Sequence, residues 1–198
     1  MKLCLIGGTF DPPHWGHALL AETLRTQLRL DSIIFVPAHV PPHKEGESIS
    51  SPEHRITMLE HFCATNPHFQ LDQREIRRQG VSYTIDTIRE LKNEQDLEGD
   101  EIGFLMGADN YRSLKKWKES DRLVRECTIL VTRRPNYPLE ESLPYAEQVT
   151  FLDLPRIEIS SSMVRERVAR GDSIRYYVTP EVQHYIEKFR LYLGEYSE

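Results

Sequence analysis

Residues 7–17 read Gly-Gly-Thr-Phe-Asp-Pro-Pro-His-Trp-Gly-His, and they follow a short apolar run at residues 3–6. An apolar run that stops at glycines and leads into a helical pattern is typical of a buried parallel strand opening an α/β unit. The two glycines, Gly7 and Gly8, let the backbone approach a ligand closely because they carry no Cβ. His14 and His17 lie at the mouth of the predicted helix, where free N–H groups and the helix dipole favour anions. This corner therefore suits a polyphosphate.

Strand-like and helix-like segments alternate along the rest of the chain. β-Branched, aromatic and aliphatic runs predict strands at residues 3–6, 33–36, 69–71, 102–106, 127–131 and 149–154. Helical patterns follow residue 17 and start again near Ser51, Ser82, Ser160 and Pro180. On the last helix, Val182, Ile186 and Phe189 are predicted to share one side. Strands separated by helices indicate an α/β fold, a Rossmann-like doubly wound parallel sheet, and we expect a single domain over residues 1–198 with C-terminal helices.

Composition narrows the class of protein. The chain has 25 lysines and arginines against 31 aspartates and glutamates, and this formal charge of −6 argues against a long duplex nucleic acid as partner. It leaves room for a small phosphorylated ligand held by a few local cations. No apolar run approaches the roughly 18 residues of a membrane span, so no membrane contact is expected. Three widely spaced cysteines, Cys4, Cys63 and Cys127, are interpreted as reduced thiols of a cytoplasmic protein.

Other polar segments are expected at the carboxyl ends of strands, where open α/β sheets bind ligands. Ser160, Ser161 and Ser162 offer cap hydroxyls at a helix start, and Arg165, one turn later, could grip a phosphate with two bonds. Taken alone, this pattern is more often an ordinary N-cap with a solvated arginine. Lys44 follows a proline-rich stretch, residues 37–42, that could hold its charge near a phosphate, although a solvated surface lysine is the simpler interpretation.

A fourth set of residues suits a nucleoside and a flat ring. Asp109, just beyond a predicted strand that stops at Gly107, is well placed to accept hydrogen bonds from a ribose. Trp117 could stack on a heteroaromatic ring, although a tryptophan at this spacing is more often partial core. For the histidine pair, zinc remains an alternative, but the sequence lacks the expected third ligand.

The order of these motifs resembles that of the small nucleotidyltransferases. Their G-x-F-x-P-x-H-x-G-H signature is matched in register by Gly8, Phe10, Pro12, His14, Gly16 and His17. Their I-S-S-T-x-I-R segment is matched at residues 159–165, with Ser162 in place of the usual threonine and Val164 in place of isoleucine. Within this superfamily, the Pro-Pro-His-Lys, Ser-Tyr-Thr and Met-Gly-Ala-Asp-Asn segments are similar to those of the bacterial nicotinate-nucleotide adenylyltransferases.

This resemblance implies an enzyme of NAD biosynthesis that joins nicotinate mononucleotide to the adenylyl group of ATP and releases pyrophosphate. It implies ATP binding by Gly8, Thr9, Phe10, His14, His17, Gly107, Asp109, Ser161, Ser162 and Arg165. It implies nicotinate-nucleotide binding by Lys44, Tyr83, Thr84 and Trp117, with His14, His17, Lys44 and Arg165 as the catalytic groups. Mg²⁺ would be held mainly by the ATP phosphates rather than by a protein cage. A homo-oligomer is left open.

The implied reaction needs no protein nucleophile, because the phosphate of the substrate itself attacks the α-phosphorus of ATP. His14, His17, Lys44 and Arg165 would then form a cationic cradle that offsets the repulsion between two anions. If residues 82–84 open a helix, its free N–H groups should prefer nicotinate to the neutral nicotinamide. Two alternatives stay open: another adenylyl- or cytidylyltransferase, such as one acting on phosphopantetheine, and a module that senses ATP without transferring anything.

Overall fold

A parallel sheet forms the centre of the computed structural model, which describes residues 1–40, 49–132, 144–154 and 157–194. Within these ranges six strands pair in the order β3-β2-β1-β4-β5-β6, and every pairing is parallel. Their bounds are β1 (Leu3–Gly8), β2 (Ser32–Pro37), β3 (Phe69–Leu71), β4 (Ile102–Gly107), β5 (Thr128–Thr132) and β6 (Val149–Leu152). All six lie where the sequence predicts strands; the four central ones carry the apolar runs typical of buried parallel strands, and the edge strands β3 and β6 include an exposed polar residue each.

Eight α-helices lie within the described ranges. They are α1 (Trp15–Leu28), α2 (Pro52–Cys63), α3 (Arg74–Arg78), α4 (Thr84–Gln95), α5 (Ala108–Ser113), α6 (Ser120–Glu126), α7 (Ser161–Ala169) and α8 (Pro180–Phe189), with a 3₁₀ turn at Leu114–Lys116. The sequence predicts the five longer ones. It misses α3, α5 and α6, which have seven residues or fewer and are too short to show a helical period.

Two apolar clusters cover the two faces of the sheet. Successive residues of β1 point to opposite faces. Cys4 and Ile6 belong to the cluster that includes residues of α1, α2, α7 and α8. Leu3 and Leu5 belong to the cluster that includes residues of α4, α5 and α6. The sheet is therefore doubly wound and Rossmann-like, as predicted. The strand order reverses between β1 and β4, so the switch point that binds ligands in such sheets lies beside Gly8 and Gly107.

One local prediction is wrong. Ser82 does not cap α4; Tyr83 occupies the N-cap position, because the Ser82 hydroxyl accepts a hydrogen bond from the backbone N–H of His39 instead. The three apolar residues of α8 share one side by their spacing; Val182 and Ile186 are buried there, and Phe189, at the end of the helix, is 46% exposed and contacts the rings of His54 and Tyr185. No helix within the described ranges is long and apolar enough to cross a bilayer.

Candidate active site

Two histidine rings stack on each other where β1 meets α1. The ring centroids of His14 and His17 are 3.7 Å apart, with an interplanar angle of 25°. Gly16 makes room for this arrangement, since a Cβ at this position would lie 2.8 Å from His14 Nδ1. The edge of Phe10, itself in the left-handed region with φ 52°, packs against His17 at 5.0 Å between centroids. Gly16 is thus required by the packing of the imidazole pair.

Hydrogen bonding orients the second imidazole. The backbone N–H of His14 donates to His17 Nδ1 at 3.2 Å, so a neutral His17 carries its proton on Nε2. His14 Nδ1 is buried and has no hydrogen-bond partner among the described residues. A buried polar atom without a partner is costly and calls for a reason, such as a ligand that binds beside it.

Burial changes the charge expected of the pair. It lowers the pKa of His14 to about 4, and it lowers the pKa of His17 well below the usual range, with the neighbouring His14 adding to the effect. Near neutral pH both imidazoles are therefore uncharged in the ligand-free protein. The histidines can donate hydrogen bonds to phosphate oxygens, but the prediction that they form part of a cationic cradle needs this correction, since desolvation disfavours their charged form.

The late serine–arginine segment reaches back to this corner. Ser160 caps α7 by accepting from the backbone N–H of Met163 at 3.1 Å. Ser161 Oγ donates to the carbonyl of Pro12 at 2.8 Å, and Arg165 Nη1 donates to the carbonyl of Asp11 at 2.8 Å. These bonds join residues about 150 positions apart, so the structure brings the two distant motifs into one site.

A cavity of about 440 Å³ opens between the two motifs, and we call it the histidine cavity. Its polar lining includes Thr9, Asp11, His14, His17, Ser160, Ser161, Ser162 and Arg165. The N-termini of α1 and α7 both meet it. Free N–H groups at helix starts, neutral imidazole donors and a guanidinium together suit a phosphate chain.

A second cavity, of about 330 Å³, lies on the other side of the β1 turn, and we call it the tryptophan cavity. Tyr83, Thr84 and Trp117 line it, as do Gly7, Gly8 and Phe104. Thr9 lines both cavities. Trp117 is held by a hydrogen bond from its Nε1 to Ser113 Oγ at 3.3 Å and by an edge contact with Phe104.

Two lysine side chains, Lys116 and Lys118, bring positive charge to the lining of the tryptophan cavity. Lys118 Nζ lies 4.8 Å from the centroid of the Tyr83 ring and 2.8 Å from a carboxylate oxygen of Asp86. Lys116 also lines this cavity. A flat ring with an anionic substituent fits a site with an aromatic wall, a helix start and nearby lysines.

Two of the predicted site residues do not line either cavity. Gly107 ends β4 and is the N-cap residue of α5, and Asp109 is exposed in the first turn of that helix. Neither is among the described residues that line the two cavities, so their contact with ATP stays a prediction. Lys44 lies outside the described residues.

Sequence reasoning missed a buried arginine beneath the site. Arg55 is only 1% exposed, and its guanidinium donates to the carbonyls of Thr9 at 3.1 Å, Ala38 at 2.7 Å and Ser50 at 3.1 Å. Burial lowers its pKa, while the charge of Asp11 opposes that shift. A single arginine within a helical pattern is normally solvated, so the sequence carries no signal for this role.

Asp11 itself is held from two distant parts of the chain. One carboxylate oxygen accepts the backbone N–H of Ser50 at 3.0 Å, and the other accepts the hydroxyl of Tyr192 at 2.7 Å. Burial, followed by the Asp11 charge, raises the pKa of Tyr192 well above its usual range. The C-terminal part of the described chain thus supports the first motif, which sequence reasoning did not predict.

The donor set bears on the kind of metal that the site could hold. Among the described residues, no group of three or more histidine, cysteine, aspartate or glutamate side chains is arranged to hold an ion. Both Asp11 oxygens already accept hydrogen bonds. This donor set fits Mg²⁺ that arrives on a triphosphate and takes its ligands mainly from phosphate and water oxygens.

Comparison with known proteins is consistent with this geometry. A family model described as cytidylyltransferase-like matches residues 5–167. The nicotinate-nucleotide adenylyltransferase of Bacillus subtilis is 38% identical over 191 residues, which cover 96% of this chain and 98% of the relative. A protein of Exiguobacterium sibiricum, described as "Probable nicotinate-nucleotide adenylyltransferase", is 42% identical over 97% of this chain and 99% of its own.

A solved structure shares the fold. It is the Plasmodium falciparum nicotinic acid mononucleotide adenylyltransferase complexed with NaAD, with a TM-score of 0.76, 20% identity, and coverage of 96% of this chain and 97% of that one. The parallel sheet, its strand order and the family match agree with one another. The chain belongs to the nicotinate-nucleotide adenylyltransferases, within the cytidylyltransferase-like family.

Proposed function

We propose that this protein transfers the adenylyl group of ATP to nicotinate mononucleotide, giving deamido-NAD and pyrophosphate. The observation that carries the proposal is the pair of cavities that meet at Thr9, at the carboxyl end of β1. One is lined by phosphate-binding groups and the other by an aromatic wall. Two nucleotides bound there would bring their phosphates together at the switch point of the sheet.

ATP occupies the histidine cavity in this proposal. The starts of α1 and α7 direct backbone N–H groups toward its phosphates, and His17 Nε2 donates a hydrogen bond as a neutral imidazole. Arg165 supplies positive charge, while its bond to the Asp11 carbonyl fixes the guanidinium on the first motif. Donors held in this way stabilise the charge that develops on the phosphoryl oxygens in the transition state.

The nicotinate ring occupies the tryptophan cavity. Its face packs against Trp117, and its carboxylate lies at the start of α4, beside Tyr83 and Thr84. The first N–H groups of a helix have no partner within the helix and favour an anion. Lys44, which lies outside the described residues, is proposed to approach the phosphate of this nucleotide.

The chemical step is a direct displacement. A phosphate oxygen of nicotinate mononucleotide attacks the α-phosphorus of ATP, a new P–O bond forms, and the bond to the bridging oxygen breaks. Pyrophosphate leaves with that bond pair, so no covalent enzyme intermediate forms. The protein accelerates this step by positioning the two anions and by neutralising charge. Held mainly by the ATP phosphates rather than by protein side chains, Mg²⁺ would supply further positive charge that neutralises those phosphates.

The cysteines fit a role outside the chemistry. Cys4, Cys63 and Cys127 are free and buried, and burial raises the pKa of Cys63 and of Cys127 to about 12. Thiols in this state are poor nucleophiles. They also fit a reducing compartment, and we therefore propose the cytoplasm as the place of the reaction.

A panel of acceptors tests the proposed function. Purified protein is given Mg·ATP with nicotinate mononucleotide, nicotinamide mononucleotide or phosphopantetheine in parallel, and pyrophosphate release is followed. We expect fast release with the nicotinate nucleotide, much slower release with the nicotinamide nucleotide, and none with phosphopantetheine. Release with phosphopantetheine alone would indicate a different transferase, and ATP binding without release with any acceptor would indicate a sensor.

A further inference from the structure

A buried carboxylate in the wall of the tryptophan cavity has no part in the mechanism described so far. Glu75 lies on the short helix α3, is 8% exposed, and lines this cavity together with Ser82 and Thr87. A buried acid beside the proposed place of an anionic ring calls for a reason, since burying an unpaired charge is expensive. Its hydrogen bonds supply that reason.

Glu75 fastens α3 to α4. Thr87 Oγ1, in the first turns of α4, donates to Glu75 Oε1 at 2.6 Å. The same hydroxyl accepts from Arg78 Nη2 at 3.1 Å, so the two helices share a chain of charge-assisted bonds. Thr87 is 2% exposed, which places this junction inside the protein rather than at its surface.

Glu75 also acts on the segment that leads into α4. The Ser82 hydroxyl faces the same carboxylate and favours its charged form. Ser82 Oγ in turn accepts the backbone N–H of His39 at 3.0 Å, and the Ser82 N–H donates to the carbonyl of Val40 at 3.2 Å. Through Ser82 and Thr87, Glu75 therefore contacts side chains on either side of Tyr83 and Thr84.

The surroundings of Glu75 act on its pKa in opposite directions. Burial raises the pKa of Glu75, while the bonds from Thr87 and Ser82 and the charge of Arg78 oppose that shift. An acid kept in such a place works through the hydroxyl groups that it orients. It is well suited to hold a helix start in one position.

We propose that Glu75 is a positioning residue for recognition of the acceptor nucleotide, acting through Ser82 and Thr87 on the start of α4. This inference rests on the proposed function, because it assumes that the ring of the acceptor binds beside Tyr83 and Thr84. Glu75 orients the N–H groups that meet the anionic end of that ring. Loss of this orientation weakens acceptor binding and leaves the histidine cavity unchanged.

The test variant is Glu75→Gln, which keeps the size of the side chain but offers only one acceptor oxygen to two hydroxyl groups. We expect the KM for nicotinate mononucleotide to rise about tenfold, which corresponds to one badly made buried hydrogen bond. The KM for ATP and kcat should each stay within about twofold. Hydrogen exchange at the His39 and Thr84 amides should speed up, which reports on position independently of activity.

Glu94→Gln is the matched control. Glu94 also joins α4 to α3, through Arg74 at 2.9 Å, but it is an exposed side chain that does not line the tryptophan cavity. Its variant should keep both KM values. An unchanged acceptor KM in Glu75→Gln, or an equal rise in both KM values, would overturn the proposal. Failure of the wild-type protein to release pyrophosphate would instead overturn the proposed function, which separates the two.

Discussion

The histidine cavity and the tryptophan cavity share Thr9 but are built in different ways. In the first, donors from α1 and α7 surround a polar space, and Ser161 and Arg165 are tied to backbone carbonyls of the first motif. In the second, Tyr83, Phe104 and Trp117 provide an aromatic wall beside the start of α4. The histidine cavity is suited to phosphate groups whose charge changes during the reaction, and the tryptophan cavity is suited to a rigid, flat ring.

This difference indicates how binding energy divides between the two substrates. Donors aimed at phosphoryl oxygens gain strength as charge develops, so their loss should lower kcat. A stacking wall holds the ring equally well before and during the reaction, so its loss should raise the KM of the acceptor with little change in kcat. Variants on the two sides of Thr9 should therefore give different kinetic signatures.

The largest effect is expected for His17→Ala. It removes the Nε2 donor, and we expect kcat to fall about a hundredfold or more, as for loss of one preorganised donor to a transition-state oxygen. The KM for nicotinate mononucleotide should change little. Steady-state pyrophosphate release measures both values, and circular dichroism checks that the fold is kept.

His17→Gln serves as the partial rescue of this variant, since a glutamine amide can still donate to a phosphate. It should recover part of kcat. An effect of His17→Ala confined to a higher KM for the acceptor, with kcat unchanged, would contradict the proposed division between the cavities.

The next effect concerns stability and pH. The pKa of His14 is about 4 in the folded protein, below the value near 6.5 of an unfolded histidine, so the unfolded chain binds more protons between these values. The contribution of neutral His14 to the free energy of unfolding is complete above about pH 6.5 and is lost as the pH falls toward 4. Over that window His14 should account for roughly 3 kcal/mol of the pH dependence of unfolding.

Urea unfolding of the wild-type protein and of His14→Gln, each at several pH values between 7.5 and 4.5, measures this contribution. The free energy of unfolding of the wild-type protein should fall more steeply with acid than that of the variant. Parallel curves would mean that the pKa of His14 is the same in the folded and the unfolded protein, and would contradict the prediction.

The strands and the first motif of the site can be predicted from the sequence because short local patterns of residues determine them. Strands β1, β2, β4 and β5 are built on apolar runs, and the motif around Gly16 lies where a strand ends and a helix begins. The packing of His14 on Gly16 explains why that position is glycine. Local pattern and tertiary structure agree at this corner of the molecule.

The supporting residues could not be predicted, because their role depends on burial. Arg55, Glu75 and Tyr192 are polar side chains in helical or terminal segments, where a sequence suggests solvent contact. Only the three-dimensional structure shows that the hydroxyl of Tyr192 donates a hydrogen bond to Asp11, 181 residues away in the chain. The neutral state of His14 and His17 also follows from burial, which no motif encodes.

The smallest effect is expected for Trp117→Ala, and it addresses the tryptophan side of the comparison. Loss of the ring contact should raise the KM for nicotinate mononucleotide about three- to tenfold, since an aromatic pair contributes about 0.5–1.5 kcal/mol beyond its buried area. The KM for ATP and kcat should stay near the wild-type values. Trp117→Phe, which keeps a ring but loses the bond to Ser113, is the matched variant and should recover most of the affinity. An increase in the KM for ATP as large as that for the acceptor would show that the two cavities do not act separately.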